Sequence, residues 1–210
     1  MPSSTEASAV RAWAALAAAL ALASVLAFFF VPAPVIDWQP GLARTEPWRA
    51  WSAALLHYSP LHLAANLAGA ALVAAFGWTA RVRMRSVAAW LAAWPLTQVG
   101  LLLRPELLHY GGLSGVLHAG AAGVAVSLLV NERGRRRAIG AAVLVGLALK
   151  VASEAPWSTL LRQPAGWDIA IAPLAHASGL VMGLLAAGVA ELVSRGLARL
   201  RIPPPEGTLL

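Results

Sequence analysis

The stretch that decides the fold is GGLSGVLHAGAAGVAVSLLV, residues 111–130. From Leu113 to Val130 it carries no charged residue, and alanine, valine, leucine and glycine supply nearly all of it. Its polar side chains are Ser114, His118 and Ser127. A run of this length and composition matches the ~30 Å hydrocarbon core of a bilayer, which takes about 20 mostly apolar residues in helical form. Within it Gly115, Ala119 and Gly123 recur every fourth residue, a stripe of small side chains that lets another helix approach closely.

Working outward, five further stretches have the same character: Ala12 to Val31, Leu61 to Ala80, Val87 to Leu103, Ala138 to about Ala155, and Ile169 to Val193. The whole chain is 59% apolar and 12% charged, with a mean hydropathy of +0.69. Soluble domains carry roughly 25% charged residues. The composition excludes a disordered chain, a nucleic-acid arm and an ordinary cytosolic enzyme. The expected fold is an all-α membrane protein with a six-helix bundle over residues 12–194, a short N-terminal segment 1–11, and a basic then Pro-rich tail 195–210. The first stretch is longer than the roughly 7–15 residues of a signal-peptide core, so it reads as a retained anchor.

The formal charge of +7, from 16 Lys+Arg against 9 Asp+Glu, is distributed as a topology signal. Arg81, Arg83 and Arg85, then Arg133, Arg135, Arg136 and Arg137, then Arg195, Arg199 and Arg201 flank the apolar runs on alternate sides. Cytoplasmic loops hold the excess of basic residues, so both termini are expected in the cytoplasm. The opposite loops hold Arg44, Arg49, Arg104 and Arg162 with Trp38, Trp48, Trp51, Trp157 and Trp167, a composition suited to the outer interface. With no cysteine, disulfides, thiol catalysis and Cys-ligated metals are excluded.

Polar, ionisable side chains inside a membrane span are costly, which makes each a functional candidate. They are His57, His62 and Asn66 at the start of the second span, Ser114 and His118 at the start of the fourth, and His176 in the sixth. The topology puts all six at one depth near the outer face. A serine hydroxyl is a poor nucleophile until a base takes its proton, and histidine is the usual base near neutral pH. Gly179 and Gly183 continue the small-residue pattern on the sixth span and permit the approach that brings Ser114 to His176. His62 and Asn66, four apart, share a helix face and both donate N–H bonds; with the backbone N–H of Ser114 they are candidate oxyanion donors. Asp168 falls in an outer loop and no carboxylate is well placed to orient His176, so a Ser-His dyad is expected. A metal or haem centre is disfavoured because His57 and His62 at five-residue spacing fall on different helix faces and no H-E-x-x-H occurs. No metal, cofactor or nucleic-acid partner is expected.

These residues resemble the rhomboid family of intramembrane serine proteases. The resemblance runs through Glu46-Pro47-Trp48-Arg49, His57-x4-His62-x3-Asn66, Gly112-Leu113-Ser114-Gly115 and Ala175-His176-x2-Gly179. It implies peptide-bond hydrolysis at the outer membrane edge with Ser114 as nucleophile, His176 as general base, His62 and Asn66 in the oxyanion hole, and structural roles for His57 and Arg49. Where relatives have an aromatic residue four positions after the nucleophile, this chain has His118, either stacked on or bonded to His176 or filling the space. Gly112 to His118 and Lys150-Val-Ala-Ser-Glu154 resemble the rhombosortase branch, which implies a multi-pass protein of the bacterial inner membrane, its site toward the periplasmic side, acting on bacterial surface proteins that end in a Gly-Gly motif, an apolar helix and a basic tail. Lys150 and Glu154 are expected as an i, i+4 ion pair at the end of the fifth span, the family's lateral gate. A noncatalytic helix-binding adaptor is the competing reading.

Overall fold

Apolar runs of this length fold as helices because lipid offers no partner to backbone N–H and C=O groups, so each run satisfies its own. In the computed structural model, which describes residues 4–200, six long helices form: α1 Ser4–Phe30, α2 Pro60–Ala80, α3 Met84–Val99, α4 Ser114–Asn131, α5 Gly134–Ser153 and α6 Pro173–Leu200. The 3-10 turn Gly100–Leu103 prolongs α3. Pro203 to Leu210, the expected Pro-rich tail, lies outside the described residues.

Five helices, α1, α2, α3 with its 3-10 extension, α4 and α6, are long and apolar enough to cross a membrane. The fifth expected span, α5, falls short on charge rather than length. It is 20 residues long, but Arg135, Arg136, Arg137 and Lys150 leave an uncharged stretch of only 12 residues, Ala138 to Leu149, about 18 Å of helix. The helices also differ from the expected limits. α1 starts at Ser4, well before Ala12. α6 starts at Pro173 because residues 160–172 form a loop that folds back through a bridge between Arg162 and Ile171.

At the centre two tryptophans pack among leucines, valines and alanines and tie the helices together. Trp13 of α1 is fully buried, donates Nε1–H to Val73 O at 2.9 Å, and packs on Trp90 of α3 with ring centroids 4.3 Å apart. Trp90 in turn donates to Val116 O of α4 at 2.8 Å. Each indole thus joins its own helix to a neighbour's backbone while its N–H stays paired. Trp38, grouped by sequence with the interfacial tryptophans, is instead buried beside Leu101 and Tyr110, because its backbone pairs with Tyr110 in both directions. Trp48, Trp51 and Trp157 are exposed.

The closest crossing is α4 on α6. A Cβ built on Gly179 would lie 1.9 Å from Gly115 O, and one on Gly183 2.4 Å from Ala119 O. No side chain fits there. At Gly123 the helices have diverged and a Cβ would meet Ala187 at 3.9 Å, an ordinary contact. On the expected cytoplasmic side Arg85 donates to both oxygens of buried Glu191, and Asn131 completes the cluster, tying α3, α4 and α6.

Candidate active site

Ser114 is the first residue of α4, so its backbone N–H belongs to the group of helix N-terminal donors without an intrahelical acceptor. Gly112 precedes it with φ +143, a value that favours glycine. A Cβ at Gly112 would stand 2.9 Å from His62 Nε2. The turn is fixed by Gly112 N–H to Ala53 O at 2.9 Å and by the Tyr110 hydroxyl to Gly112 O at 3.2 Å.

The glycine crossing sets Ser114 against α6, where His176 Nε2 lies 2.9 Å from Ser114 Oγ. On the other side of the ring, His176 Nδ1 lies 2.6 Å from Glu154 Oε2. This corrects the expectation that no carboxylate is placed to orient His176: Glu154 is the residue that caps α5, and the chain reverses immediately after it at Ala155, φ +53. Asp168 sits elsewhere, accepting from the hydroxyl of Ser59, which in turn caps α2 by accepting from His62 N–H.

His62 and Asn66 both face the same cavity as Ser114 and His176. Asn66 Nδ2 donates to His62 O at 3.1 Å, and His62 Nδ1 is buried without a partner in the described structure. His57 precedes α2 instead of lying on it, so its ring turns back to 4.7 Å from that of His62. The two histidines are neighbours, in contrast to the separate helix faces that their spacing suggests. His57 Nδ1 donates to Leu55 O at 3.1 Å, and burial lowers its pKa to about 4. Burial likewise pushes the Tyr110 hydroxyl up to about 12.

His118 stacks on His176 with ring centroids 4.5 Å apart and planes 19° from parallel. Its Nδ1 lies 2.7 Å from Ser114 O and its Nε2 3.0 Å from Lys150 Nζ. Lys150 also reaches Glu154 Oε1 at 3.0 Å and lies 2.9 Å from His176 Nδ1. Of the readings of His118, stacking on His176 describes its position, whereas its hydrogen bonds go to Ser114 O and Lys150 rather than to His176; the Lys150–Glu154 pair points at His176 instead of standing apart at the interface.

Arg49 is remote from this cluster and buried. It donates through Nη1 to Pro34 O, Asp37 O and Asp37 Oδ1 and through Nε to Glu46 at 2.6 Å, closing the first outer loop on itself. The cavity in front of Ser114 has a volume of about 600 Å³ and is walled by α2, α4, α5, His176 of α6 and the loop that carries Arg162 and Trp167, with apolar Leu72, Val73, Leu117 and Leu147 among its lining beside the polar cluster. Among the described residues no three His, Asp or Glu side chains gather as metal ligands.

A multi-pass helical membrane protein with a serine and a histidine in hydrogen-bond contact beside an apolar-walled cavity is the class that fold and site define. A family model described as the rhomboid domain matches residues 44–191, well over half of the chain. The chain belongs to the rhomboid family of intramembrane serine proteases, which act on membrane-anchored substrates. A search of curated proteins finds no match.

Proposed function

We propose that the protein is an intramembrane serine endopeptidase in which Ser114 is the nucleophile and His176 the general base. The observation that carries this is the 2.9 Å contact between Ser114 Oγ and His176 Nε2 at the wall of a cavity lined in part by apolar residues. As Ser114 Oγ adds to the scissile carbonyl carbon, its proton passes to His176 Nε2, which then delivers it to the departing amine nitrogen. The carbonyl oxygen becomes an oxyanion, for which His62, Asn66 and the Ser114 backbone N–H are the proposed donors. Water enters as the second nucleophile, again through His176, and frees the serine.

The bundle crosses the bacterial inner membrane six times with both termini in the cytoplasm. Here α5 supplies the sixth crossing, its Arg135, Arg136 and Arg137 in the cytoplasmic headgroups and the Lys150 stem extended along the outer end. The site then opens toward the periplasmic side. Its substrates are single-span proteins cut near the outer face, and the reading that best fits the Gly112 to His118 and Lys150 to Glu154 segments is a C-terminal signal of Gly-Gly, apolar helix and basic tail. A peptide bond within an intact helix presents no accessible carbonyl, and each glycine weakens a helix by about 1 kcal/mol relative to alanine. A Gly-Gly pair at the outer edge thus supplies a locally unwound bond.

The test is co-expression with a membrane protein bearing such a tail, with mass spectrometry of the new C-terminus. Cleavage is expected with the wild-type protein and absent with Ser114→Ala or His176→Ala that still insert. Cleavage by the Ser114→Ala protein would refute the assignment.

A further inference from the structure

The hydrogen bonds around His176 form a closed ring, and the chemistry of their acceptors fixes where the protons sit. Ser114 O is a carbonyl and only accepts, so His118 Nδ1 carries the hydrogen across their 2.7 Å contact. His118 Nε2 is then the bare nitrogen and accepts from the Lys150 ammonium at 3.0 Å. Lys150 also donates to Glu154 Oε1 at 3.0 Å. Glu154 Oε2, again an acceptor, takes the hydrogen of His176 Nδ1 at 2.6 Å. His176 Nε2 is thereby bare and accepts from the hydroxyl of Ser114, where the ring began.

Two groups compete for His176 Nδ1. Glu154 takes its hydrogen, which leaves Nε2 free to act as a base. Lys150 Nζ, 2.9 Å from the same Nδ1, would donate to it instead, which would move the ring hydrogen to Nε2 and leave nothing there to accept the serine proton. His118 and Glu154 each hold one hydrogen of the ammonium and so restrain it.

Building on the endopeptidase reading, we infer that Glu154 is a positioning residue that completes a Ser114–His176–Glu154 triad, and that His118 and Lys150 close the ring that keeps His176 in the base-competent tautomer. In the reaction the proton moves from Ser114 Oγ to His176 Nε2 and then to the leaving nitrogen. The Glu154 carboxylate stays ionised throughout and faces the transient imidazolium. The Lys150 charge lies next to the same imidazolium and opposes it, so Lys150 without Glu154 is inhibitory. Glu154 is 8% exposed and His176 6%, which keeps water from taking over either bond.

The test reads the serine directly, with no substrate needed: the limiting rate at which a fluorophosphonate labels the purified full chain in detergent. Glu154→Gln is expected to label at least about a hundredfold more slowly than wild type, since loss of a tautomer-setting carboxylate costs about 10⁴ in a serine protease triad. Adding Lys150→Met to it removes the rival donor and is expected to restore at least about tenfold, because a Gln oxygen still accepts from Nδ1–H. Glu154→Asp is expected to fall between wild type and Glu154→Gln. A Glu154→Gln rate near wild type, or a double variant no faster than Glu154→Gln, overturns the inference. His118→Phe keeps the stack but frees the ammonium, and provides a second cycle should Glu154→Gln fail to fold by gel filtration and circular dichroism. Its slower labelling is expected to recover on adding Lys150→Met, and no recovery overturns the ring. A wild-type protein that does not label at all refutes the serine-hydrolase reading itself, and with it the ring.

Discussion

At the scale of single residues, the apolar background makes the chemistry legible: Ser114, His176, His62 and Asn66 stand out because so few other polar groups lie within the spans. The proposed oxyanion role of Asn66 has a measurable consequence. Asn66→Ala is expected to lower kcat by about 10²–10³ with KM little changed, since the donor serves the transition state more than the bound substrate; steady-state cleavage of a fluorogenic peptide reads both. His57 makes a different prediction. Its pKa is held at about 4 against an ordinary 6.5 by burial, so the unfolded chain binds a proton that the folded protein refuses between those values. Stability is thus full above pH 6.5 and falls as pH drops toward 4, by on the order of 3 kcal/mol. Thermal unfolding in detergent across this range is expected to slope less steeply in His57→Gln. What the residues alone concealed is that Glu154, expected only as the ion-pair partner of Lys150, bonds His176. It lies 22 residues before His176, at the end of a helix with no regular relation to α6, and a spacing in sequence says nothing about which ends of two separate helices meet.

At the scale of elements, the α4–α6 crossing positions the site, and its small-residue stripes were readable at four-residue spacing. Their weights were not. Gly179 and Gly123 look alike in sequence, yet a Cβ would lie 1.9 Å from backbone at the first and 3.9 Å from a methyl at the second. Gly179→Ala is therefore expected to push the helices apart, cost about 1–3 kcal/mol, and abolish fluorophosphonate labelling by separating Ser114 from His176. Gly123→Ala is expected to keep both its melting temperature and its labelling, so comparing the two variants isolates the crossing from any general effect of added methyls. The helix α5 differs from the others: within it only Gly140 and Val151 are buried, so most of its surface is not covered by the other helices while its last turn reaches the catalytic cluster. The His57–His62 contact also belongs to this scale, since it arises because α2 starts at Pro60 and the chain before it bends back.

At the scale of the whole molecule, the arginine clusters and the depth of the site make one orientation proposal. The chain has no cysteine, so single cysteines report sidedness without background. A cysteine replacing Arg135 is expected to react with an impermeant maleimide only after the inner membrane is opened, and one replacing Trp157 in intact spheroplasts. Reaction of both from the same side would remove α5 as a crossing helix.

The sequence by itself determined the solvent of this protein, the number and rough limits of its long helices, and the residue types on which a serine hydrolase could be built. These follow from local properties: apolar length, charge asymmetry between loops, and i, i+4 periodicity on one helix. Only the tertiary structure decided that His176 bonds a carboxylate, that Lys150 and His118 join the same ring, that Trp38 is buried and that Gly179 admits no side chain. Each of these depends on distances between segments far apart in the chain, where packing of whole helices, rather than spacing along one of them, sets which atoms touch.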